Sequence, residues 1–411
     1  MFLVMRLLDL VLRMWFWSNL AGGGRRGGRP REGGKPFYRS VFSFVFGDPD
    51  PNRRRQLSRA TGGTARAIEQ PCRAFETVPA QPLLERRKRN PHGLGDIDLV
   101  LKRSTDLGQT WSDLQVVWND ENNTCGNPCP VVDQQTGRIW LALTWNLGSE
   151  SEGQIMAGTT RHPRRVFMTR SDDDGATWAE PVEMPHLRRD HWRWYATGPD
   201  KGIQLTRGAH AGRLVIPCNH SDHSDPQKHP YRSHVIYSDD HGQTWHLGGA
   251  LDERTNESTI VELSDGAILD NMRSYHGQHR RAVAISNDGG ESWGAVTLDE
   301  QLVEPVCQAS ILRYSWPDPQ SPPTRSRIVF SNPASSTARK QLTLRLSYDE
   351  GKTWAMSRTL YGGSAAYSCL ARLPDGTIGV LFERDGYRRI TLARVGLPWL
   401  EEYKEDADKQ P

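Results

Sequence analysis

The chain has no long uninterrupted apolar run. Its most apolar stretch is the opening "MFLVMRLLDLVLRMWFWSNLAGGG", in which Arg6, Asp9 and Arg13 interrupt the apolar residues. This stretch is too short and too charged to span a bilayer. Its length and its small-residue end resemble a secretory leader, although the three charges are atypical of one. The location therefore stays open between a periplasmic or secreted site, which the opening favours, and the cytoplasm.

Cysteine is also scarce, with six residues in a chain of 411. They form no C-x-x-C pair, and no histidine stands at the spacing of a metal ligand. This pattern speaks against both a zinc site and a disulfide scaffold, so we predict no metal and no cofactor. The six are Cys72, Cys125, Cys129, Cys218, Cys307 and Cys369.

Apolar residues make up a modest 36% of the chain, yet there are 14 Trp and 38 Gly. This mixture is typical of many short strands joined by tight turns rather than of long helices. A chain of this length could form two average domains or one large barrel or propeller. Composition thus favours an all-β fold.

Charge is unevenly distributed along the chain. Residues 1–94 hold 18 Lys and Arg against 7 Asp and Glu, whereas the remainder holds 34 against 42. The run "GGGRRGGRPREGG" could by itself contact nucleic acid or anionic lipid. It has no interleaved aromatic residues and no periodicity. We therefore predict no nucleic-acid partner, and a disordered or non-native segment over residues 1–82.

One pattern, S-x-D-x-G-x-[ST]-W, occurs five times, at spacings of 67, 67, 48 and 61 residues. These spacings suit one four-stranded propeller blade with its loops. In a tight hairpin the Asp can accept loop N–H bonds, the Gly can adopt positive φ, and the Trp can fill the space under the turn. We therefore interpret these Asp residues as architectural, not catalytic or metal-binding. The five copies are residues 104–111, 171–178, 238–245, 286–293 and 347–354.

The segments between the repeats extend the pattern into a family resemblance. They include "NTCGNPCPVVD", "YATGPDKGIQL", "NESTIVELSDG", "NMRSYHGQHRRAVAIS" and "YGGSAAYSCLARLPDGTIGVLFER". With the repeats, which resemble Asp-boxes (BNR repeats), they resemble bacterial exo-α-sialidases of the sialidase (neuraminidase) superfamily from about residue 83 onward. The resemblance implies a six-bladed β-propeller over residues 83–400, followed by a charged tail at 401–411.

The substrate of such an enzyme constrains its nucleophile. Sialic acid bears a carboxylate on the carbon that is attacked, so the site needs fixed positive charge, and an anionic nucleophile would be repelled. A tyrosine activated by a glutamate base is a neutral solution; it is a property of sialidases that we carry over from the family. Tyr367 in "SAAYSCL" matches the nucleophile, and Glu257 in "NES" matches the base, sixteen residues before Arg273. The alternatives are a buried structural tyrosine and a glutamate in a surface salt bridge.

The resemblance also implies a clamp for the substrate carboxylate. Arg273 in "NMRSY" and Arg339 in "TARKQ" fall on the second and third positions of the family's arginine triad. The planar guanidinium suits a carboxylate and cannot lose its charge. Glu383 in "VLFERDG" matches the acid that orients the first triad arginine. Arg345 is interpreted as a sheet residue rather than a ligand.

The first blade departs from the family pattern. No Y/F-R-I-P strand carries the first triad arginine, and only Arg39 and Arg73 are candidates for it. The stretch "ERRKRNPHGLGD" aligns without gaps to the family's E-G-R-K and G-D-x-G-D segments, which puts Arg87 on an additional pocket arginine and Gly93 on the acid/base aspartate. Losing that acid would cost about 10²- to 10⁴-fold in rate. We therefore predict an incomplete or aberrant first blade. Either the protein is a lectin-like relative of the family with a weakened catalytic apparatus, or residues 1–94 result from a shifted reading frame.

Three functions remain open at this stage. The first is a retaining exo-α-sialidase that releases terminal sialic acids from oligosaccharides, glycoproteins and glycolipids. The second is a binding module with the same pocket but impaired turnover, which Gly93 favours. The third is a propeller that acts on another glycan, because fold does not dictate substrate; the pair Arg273 and Arg339 disfavours it.

Overall fold

The computed structural model describes residues 95–402, apart from residues 226 and 318–324, together with the backbone of three short strands before residue 95. Within this part of the chain nearly all regular structure is β-strand. The exceptions are α1 (Glu152–Met156), α2 (Leu397–Glu401) and a 3-10 turn at Pro185–Leu187. Helix α1 begins at Ser151, whose side chain and that of Gln154 form a reciprocal capping box. The predicted all-β class is confirmed.

The first sheet has nine strands, which fall into two antiparallel groups. A single parallel pair, Ile97 with Thr124, joins the groups. The first group is β1 (Phe37–Tyr38), β2 (Ser43–Phe46), β3 (Ala80–Arg87), β4 (Ile97–Leu101) and β5 (Gln115–Trp118). The second group is β6 (Thr124–Val132), β7 (Ile139–Asn146), β8 (Arg165–Ser171) and β9 (Val182–Glu183).

Three more antiparallel sheets follow in chain order. One has five strands: β10 (Trp192–Thr197), β11 (Ile203–Gln204), β12 (Leu214–Asp222), β13 (Tyr231–Ser238) and β14 (His246–Ala250). The next has four: β15 (Thr255–Glu262), β16 (Ile268–Ser274), β17 (Arg280–Ser286) and β18 (Thr297–Val303). The last has six: β19 (Ser310–Ser315), β20 (Arg327–Pro333), β21 (Lys340–Ser347), β22 (Met356–Arg372), β23 (Ile378–Arg384) and β24 (Arg389–Val395).

Apolar layers between successive sheets arrange them as a β-propeller. Residues of β6–β8 pack against β10–β13, those of β12 and β13 against β15 and β16, and those of β15 and β16 against β19 and β20. The last strands of the fourth sheet then pack on β4 of the first sheet, which makes the arrangement circular. This closing cluster contains Val100 of β4 with Cys369, Ala371, Leu381 and Leu392 of β22–β24.

The five repeats form equivalent turns, each after the third strand of its antiparallel unit. In the first repeat the Asp106 carboxylate accepts bonds from the Ser104 hydroxyl (2.8 Å) and the Thr110 N–H (2.8 Å), and the Gly108 N–H donates to Ser104 Oγ (2.7 Å). Gly108 has φ of +84°, a value that favours glycine. The other four repeats keep the same bonds. The turns thus have the geometry expected of architectural elements.

The tryptophans that end the repeats support this view. Trp245 and Trp354 are buried within apolar clusters, and Trp111, Trp178 and Trp293 pack against others. Because successive strands alternate in direction, the end of a third strand and the start of a first strand lie at opposite ends of the sheet. The repeats therefore lie at the end of the propeller away from the first-strand starts.

The N-terminal predictions fall mostly outside the described residues. Within residues 1–94 the structure places only the backbones of β1, β2 and β3, and β2 pairs with β3 as β3 pairs with β4. Four antiparallel strands, β2 to β5, therefore stand where an incomplete first blade was predicted. The rest of residues 1–82, and residues 403–411 of the predicted tail, are not described. No helix in the described part of the chain has both the length and the apolar character needed to cross a membrane.

Candidate active site

Four strands, β6, β10, β15 and β22, carry the same kind of irregularity in their pairing. In β15, Thr255 pairs with Ser274 and Ser258 with Met272, so two residues oppose one. In β22, Ala365 pairs with Arg384 and Ser368 with Phe382, which repeats the same count. Such β-bulges re-aim side chains and are common next to active sites. The bulges bring Glu257 opposite Arg273, and Tyr367 opposite Glu383; β6 and β10 carry the same irregularity at Asn127 and Trp194.

Tyr367, Glu257 and Arg273 are in direct contact. The Tyr367 hydroxyl donates a short hydrogen bond to one oxygen of the Glu257 carboxylate. Arg273 Nη1 donates to the other oxygen, Oε2, at 2.8 Å. Glu257 and Arg273 are buried, at 8% and 6% exposure, and Tyr367 is half-buried. One carboxylate therefore links a phenol to a guanidinium across two sheets.

Arg339 also lies close to the phenol. Its guanidinium carbon is 5.6 Å from the centre of the Tyr367 ring. Its Nη1 donates to the Tyr387 hydroxyl at 2.9 Å, and its Nη2 to the Val306 carbonyl at 3.2 Å. The two guanidiniums, of Arg273 and Arg339, thus lie near the Tyr367 ring, where they could bind an anionic ligand.

The electrostatics keep the phenol protonated in the absence of a ligand. Burial raises the pKa of Tyr367 well above its usual value, and the negative charge of Glu257 raises it further, while Arg273 and Arg339 oppose the shift. Burial lowers the pKa of Arg273, but Glu257, Tyr275 and Tyr367 together outweigh this effect and leave the pKa well above the ordinary value. The arrangement is thus a neutral hydroxyl hydrogen-bonded to an acceptor carboxylate, flanked by permanent positive charge.

Glu383 supports the tyrosine from the backbone side. It is buried, at 1% exposure, and its Oε2 accepts the Tyr367 N–H at 3.0 Å. The two candidates for the predicted arginine partner of Glu383, Arg39 and Arg73, lie outside the described residues, as does Gly93. Arg345 lies in β21 and donates to Asn332 Oδ1 at 2.9 Å, whereas of Arg87 only the backbone is described, opposite Ile97.

A polar layer fixes the strand that carries Tyr367. The Gln308 side chain donates to the carbonyls of Pro199 (2.7 Å) and Ser368 (2.9 Å) and accepts the Ser368 N–H at 3.0 Å. The adjoining Asp200 carboxylate accepts bonds from Ser310 and Thr259. These bonds tie three sheets together next to the tyrosine, so the site has a rigid support.

The sequence analysis missed several residues of this end of the propeller. Tyr275 lies over Arg273, with the guanidinium carbon 5.1 Å from its ring centre, and alternation along a strand would have put both on one face. Tyr387 follows Glu383 in a turn and gave no periodic signal. Trp194 lies 4.3 Å from the buried guanidinium of Arg164, which also bonds Asn127 at 2.5 Å. In the described residues, no cluster of three or more His, Cys, Asp or Glu side chains is placed to hold a metal ion.

Comparison with known proteins gives a consistent assignment. Residues 90–380 match the family described as BNR repeat-like domain. A sialidase of Micromonospora viridifaciens is 36% identical over 338 residues, which cover 80% of this chain and 51% of that protein. An exo-alpha-sialidase of Aspergillus fumigatus is 31% identical over 351 residues, which cover 77% of this chain and 80% of that protein. A sialidase of Bacteroides fragilis is a further relative. The chain spans about half the length of this protein and of the Micromonospora viridifaciens sialidase.

Solved structures agree. The Hadza microbial sialidase Hz136 superposes with a TM-score of 0.68 at 28% identity, over 78% of this chain and 64% of that one. The intramolecular trans-sialidase from Ruminococcus gnavus superposes with a TM-score of 0.65 over 81% of this chain and 93% of that one; at 18% identity it shows only a shared fold. From the repeats, the matched length and these relatives, we conclude that the chain belongs to the sialidase superfamily and carries its BNR repeats.

Proposed function

We propose that this chain is a retaining exo-α-sialidase that releases terminal sialic acids from oligosaccharides, glycoproteins and glycolipids. The observation that carries the proposal is the contact between the Tyr367 hydroxyl and Glu257, with Arg273 on the same carboxylate. A phenol bonded to a carboxylate is a nucleophile with its base in place. The relatives named as sialidases supply the substrate class.

Binding would begin with the substrate carboxylate. Arg273 and Arg339 would hold it by charge-assisted hydrogen bonds, in a buried site where such bonds are stronger than in water. Arg339 keeps its guanidinium next to the Tyr367 ring through its bonds to Tyr387 and Val306. The carboxylate would therefore be fixed beside the phenol, with the anomeric carbon within reach of the hydroxyl oxygen.

The reaction would then proceed in two displacements. The Tyr367 oxygen forms a bond to the anomeric carbon and its proton passes to Glu257. The bond to the leaving-group oxygen breaks, and that oxygen keeps the electron pair and takes a proton from solvent water. A water molecule then attacks the same carbon and gives up a proton to solvent, the bond to Tyr367 breaks, and Glu257 returns the tyrosine proton to the phenolate. Two displacements on one carbon retain its configuration. Because Arg273 is bonded to Glu257, its attraction to that carboxylate would weaken when the carboxylate takes up the proton and recover when the proton is returned.

A second function, sialic acid binding with impaired turnover, is favoured by one observation in the sequence. Gly93 stands at the aligned position of the family's acid/base aspartate, so the leaving group would lack its proton donor. An aryl sialoside with a good leaving group needs little protonation, whereas sialyllactose needs a donor. Comparing the two substrates therefore separates the functions.

The experiment measures release of free sialic acid from both substrates, and binding of a methyl α-sialoside by calorimetry. Turnover of both substrates supports the hydrolase. Turnover of the aryl substrate alone, or binding without any turnover, supports the impaired site. Absence of both binding and turnover would refute the proposal, and Arg273→Ala should abolish whichever signal the chain gives.

We also propose that the propeller of residues 83–400 has six blades. The single parallel pair between β4 and β6 would divide the nine-stranded sheet into two blades. Strand β22 pairs with β21 up to Ser364 and with β23 from Ala365, so it would divide the six-stranded sheet into two more. Strand β2 lies against both β6 and β22, which is where the inner strand of a first blade belongs.

A further inference from the structure

We infer that Tyr275, stacked on Tyr231, is a positioning residue that holds the guanidinium plane of Arg273 for the substrate carboxylate, and that the loop bearing α1 braces this stack through Glu152. The inference rests on the proposed function, because it concerns the same arginine. It adds a row of side chains that links the loop between β7 and β8 to the carboxylate site.

The row consists of four consecutive contacts. Glu152, in the first turn of α1, accepts the hydroxyl of Tyr231 at 2.6 Å. The Tyr231 and Tyr275 rings are stacked, with their centres 5.6 Å apart and their planes 20° from parallel. The Arg273 guanidinium carbon lies 5.1 Å from the Tyr275 ring centre. Arg273 in turn bonds Glu257, so the row ends at the proposed base.

Backbone hydrogen bonds fix the spacing of the two tyrosines. The Arg254 N–H donates to the Tyr231 carbonyl at 2.9 Å, and the Tyr275 N–H donates to the Arg254 carbonyl at 2.8 Å. Arg254 has φ of +68° and forms the turn between these two bonds. The backbone at the junction of two sheets therefore holds Tyr231 and Tyr275 side by side, so their stacking is not set by side-chain rotamers alone.

Arg273 needs such a restraint. Its one side-chain hydrogen bond, to Glu257, is made by Nη1, while its Nε is buried without a hydrogen-bond partner among the described residues. A single bond leaves the guanidinium free to rotate about the direction of that bond. The aromatic face of Tyr275 attracts the cation and fixes its plane.

Tyr275 is 39% exposed, so it could instead contact the sugar directly. The two roles differ in what they require of the ligand. If Tyr275 acts through Arg273, its loss weakens only ligands whose carboxylate Arg273 binds. If it touches the sugar, its loss weakens charged and uncharged ligands alike.

The experiment therefore titrates two ligands, a methyl α-sialoside and the methyl ester of its carboxylate, into the full chain and its variants. We expect Tyr275→Leu to weaken the carboxylate ligand about fivefold to tenfold and to leave the ester unchanged. Tyr275→Phe keeps the ring and should match the wild type. If turnover is measurable, Tyr275→Leu should raise KM more than it lowers kcat. Equal loss for both ligands, or no loss for either, would overturn the inference.

The brace is tested on strand β13. Tyr231→Phe removes only the hydroxyl that Glu152 accepts, and it should weaken the carboxylate ligand about twofold to threefold. Tyr237→Phe, six residues along the same strand and away from the site, is the matched control and should change nothing. Equal affinity of the wild type and Tyr231→Phe would overturn the brace. Absence of sialoside binding by the wild type would instead refute the proposed function, and the inference with it.

Discussion

Replacing Glu257 by glutamine would separate the proposed base from its structural role. The glutamine side chain keeps an oxygen that can accept the Tyr367 hydroxyl, but it cannot take the proton or pair with Arg273 as an anion. Loss of a general base costs about 10²- to 10⁴-fold, so kcat on an aryl sialoside should fall within that range. Affinity for a sialoside should stay equal or increase, because Arg273 loses the carboxylate that competes with the ligand.

The same change should destabilise the fold by a predictable amount. The side chains of Arg273 and Glu257 are 7% and 10% exposed, so breaking their pair leaves a buried guanidinium without its counterion. Such losses cost about 3–5 kcal/mol. The free energy of unfolding, measured in urea, should fall by about 3 kcal/mol, at the low end of that range, because the glutamine still satisfies the Tyr367 hydroxyl.

A matched control lies on the same strand. Glu262, at the far end of β15, is also buried, and it accepts the N–H groups of Thr206 and Arg207. Glu262→Gln should lower the stability but leave kcat unchanged. The reasoning about Glu257 would be wrong if Glu257→Gln kept kcat within about threefold of the wild type, or if it lowered kcat no more than Glu262→Gln.

Three further predictions concern stability. Burial lowers the pKa of both His220 and His234, the latter to about 3, and their Nδ1 atoms lie 3.0 Å apart. As pH falls below ~6.5 the unfolded chain therefore binds protons first, and the free energy of unfolding should fall by up to about 1.4 kcal/mol per pH unit for each histidine. Urea unfolding at several pH values measures this loss, which should be smaller in His234→Asn. In the first repeat, bonds from the Thr110 side chain and N–H lower the pKa of Asp106 to about 2. Asp106→Ala should cost about 1 kcal/mol of stability, seen as a lower melting temperature, and should leave kcat/KM unchanged. A large loss of turnover in the folded variant would contradict an architectural role. Arg281 and Glu304 form an ion pair with both side chains fully buried, so Arg281→Ala should cost about 3–5 kcal/mol in urea, whereas a change below ~1 kcal/mol would show that the pair is dispensable.

The repeats were predictable because their chemistry is local. Ser104, Asp106, Gly108 and Thr110 satisfy one another within a single turn, so eight letters suffice to specify the structure. The strand before the second repeat was also visible, since buried residues alternate with more exposed ones along most of β8. The all-β class and the propeller follow from these local signals.

The candidate site was only partly predictable. Resemblance to the family selected Tyr367, Glu257, Arg273 and Arg339, and the structure places the first three in contact with Arg339 beside them; their roles remain proposals. The bulges that aim them could not be foreseen, because an extra residue in a strand is defined only by its partner strand. Tyr387 was equally hidden, since it reaches Arg339 from a turn at φ of +65°.

The closing cluster has a consequence for the nascent chain. Val100 emerges from the ribosome nearly three hundred residues before its partner Leu392, so this seam cannot form until the residues up to Leu392 have been made. Glu257 and Arg273 are made well before Tyr367, and the loop that supplies Tyr387 comes later still. A growing chain would thus hold finished sheets but no finished pocket, and ligand binding should arise in one step when β4 meets the last three strands.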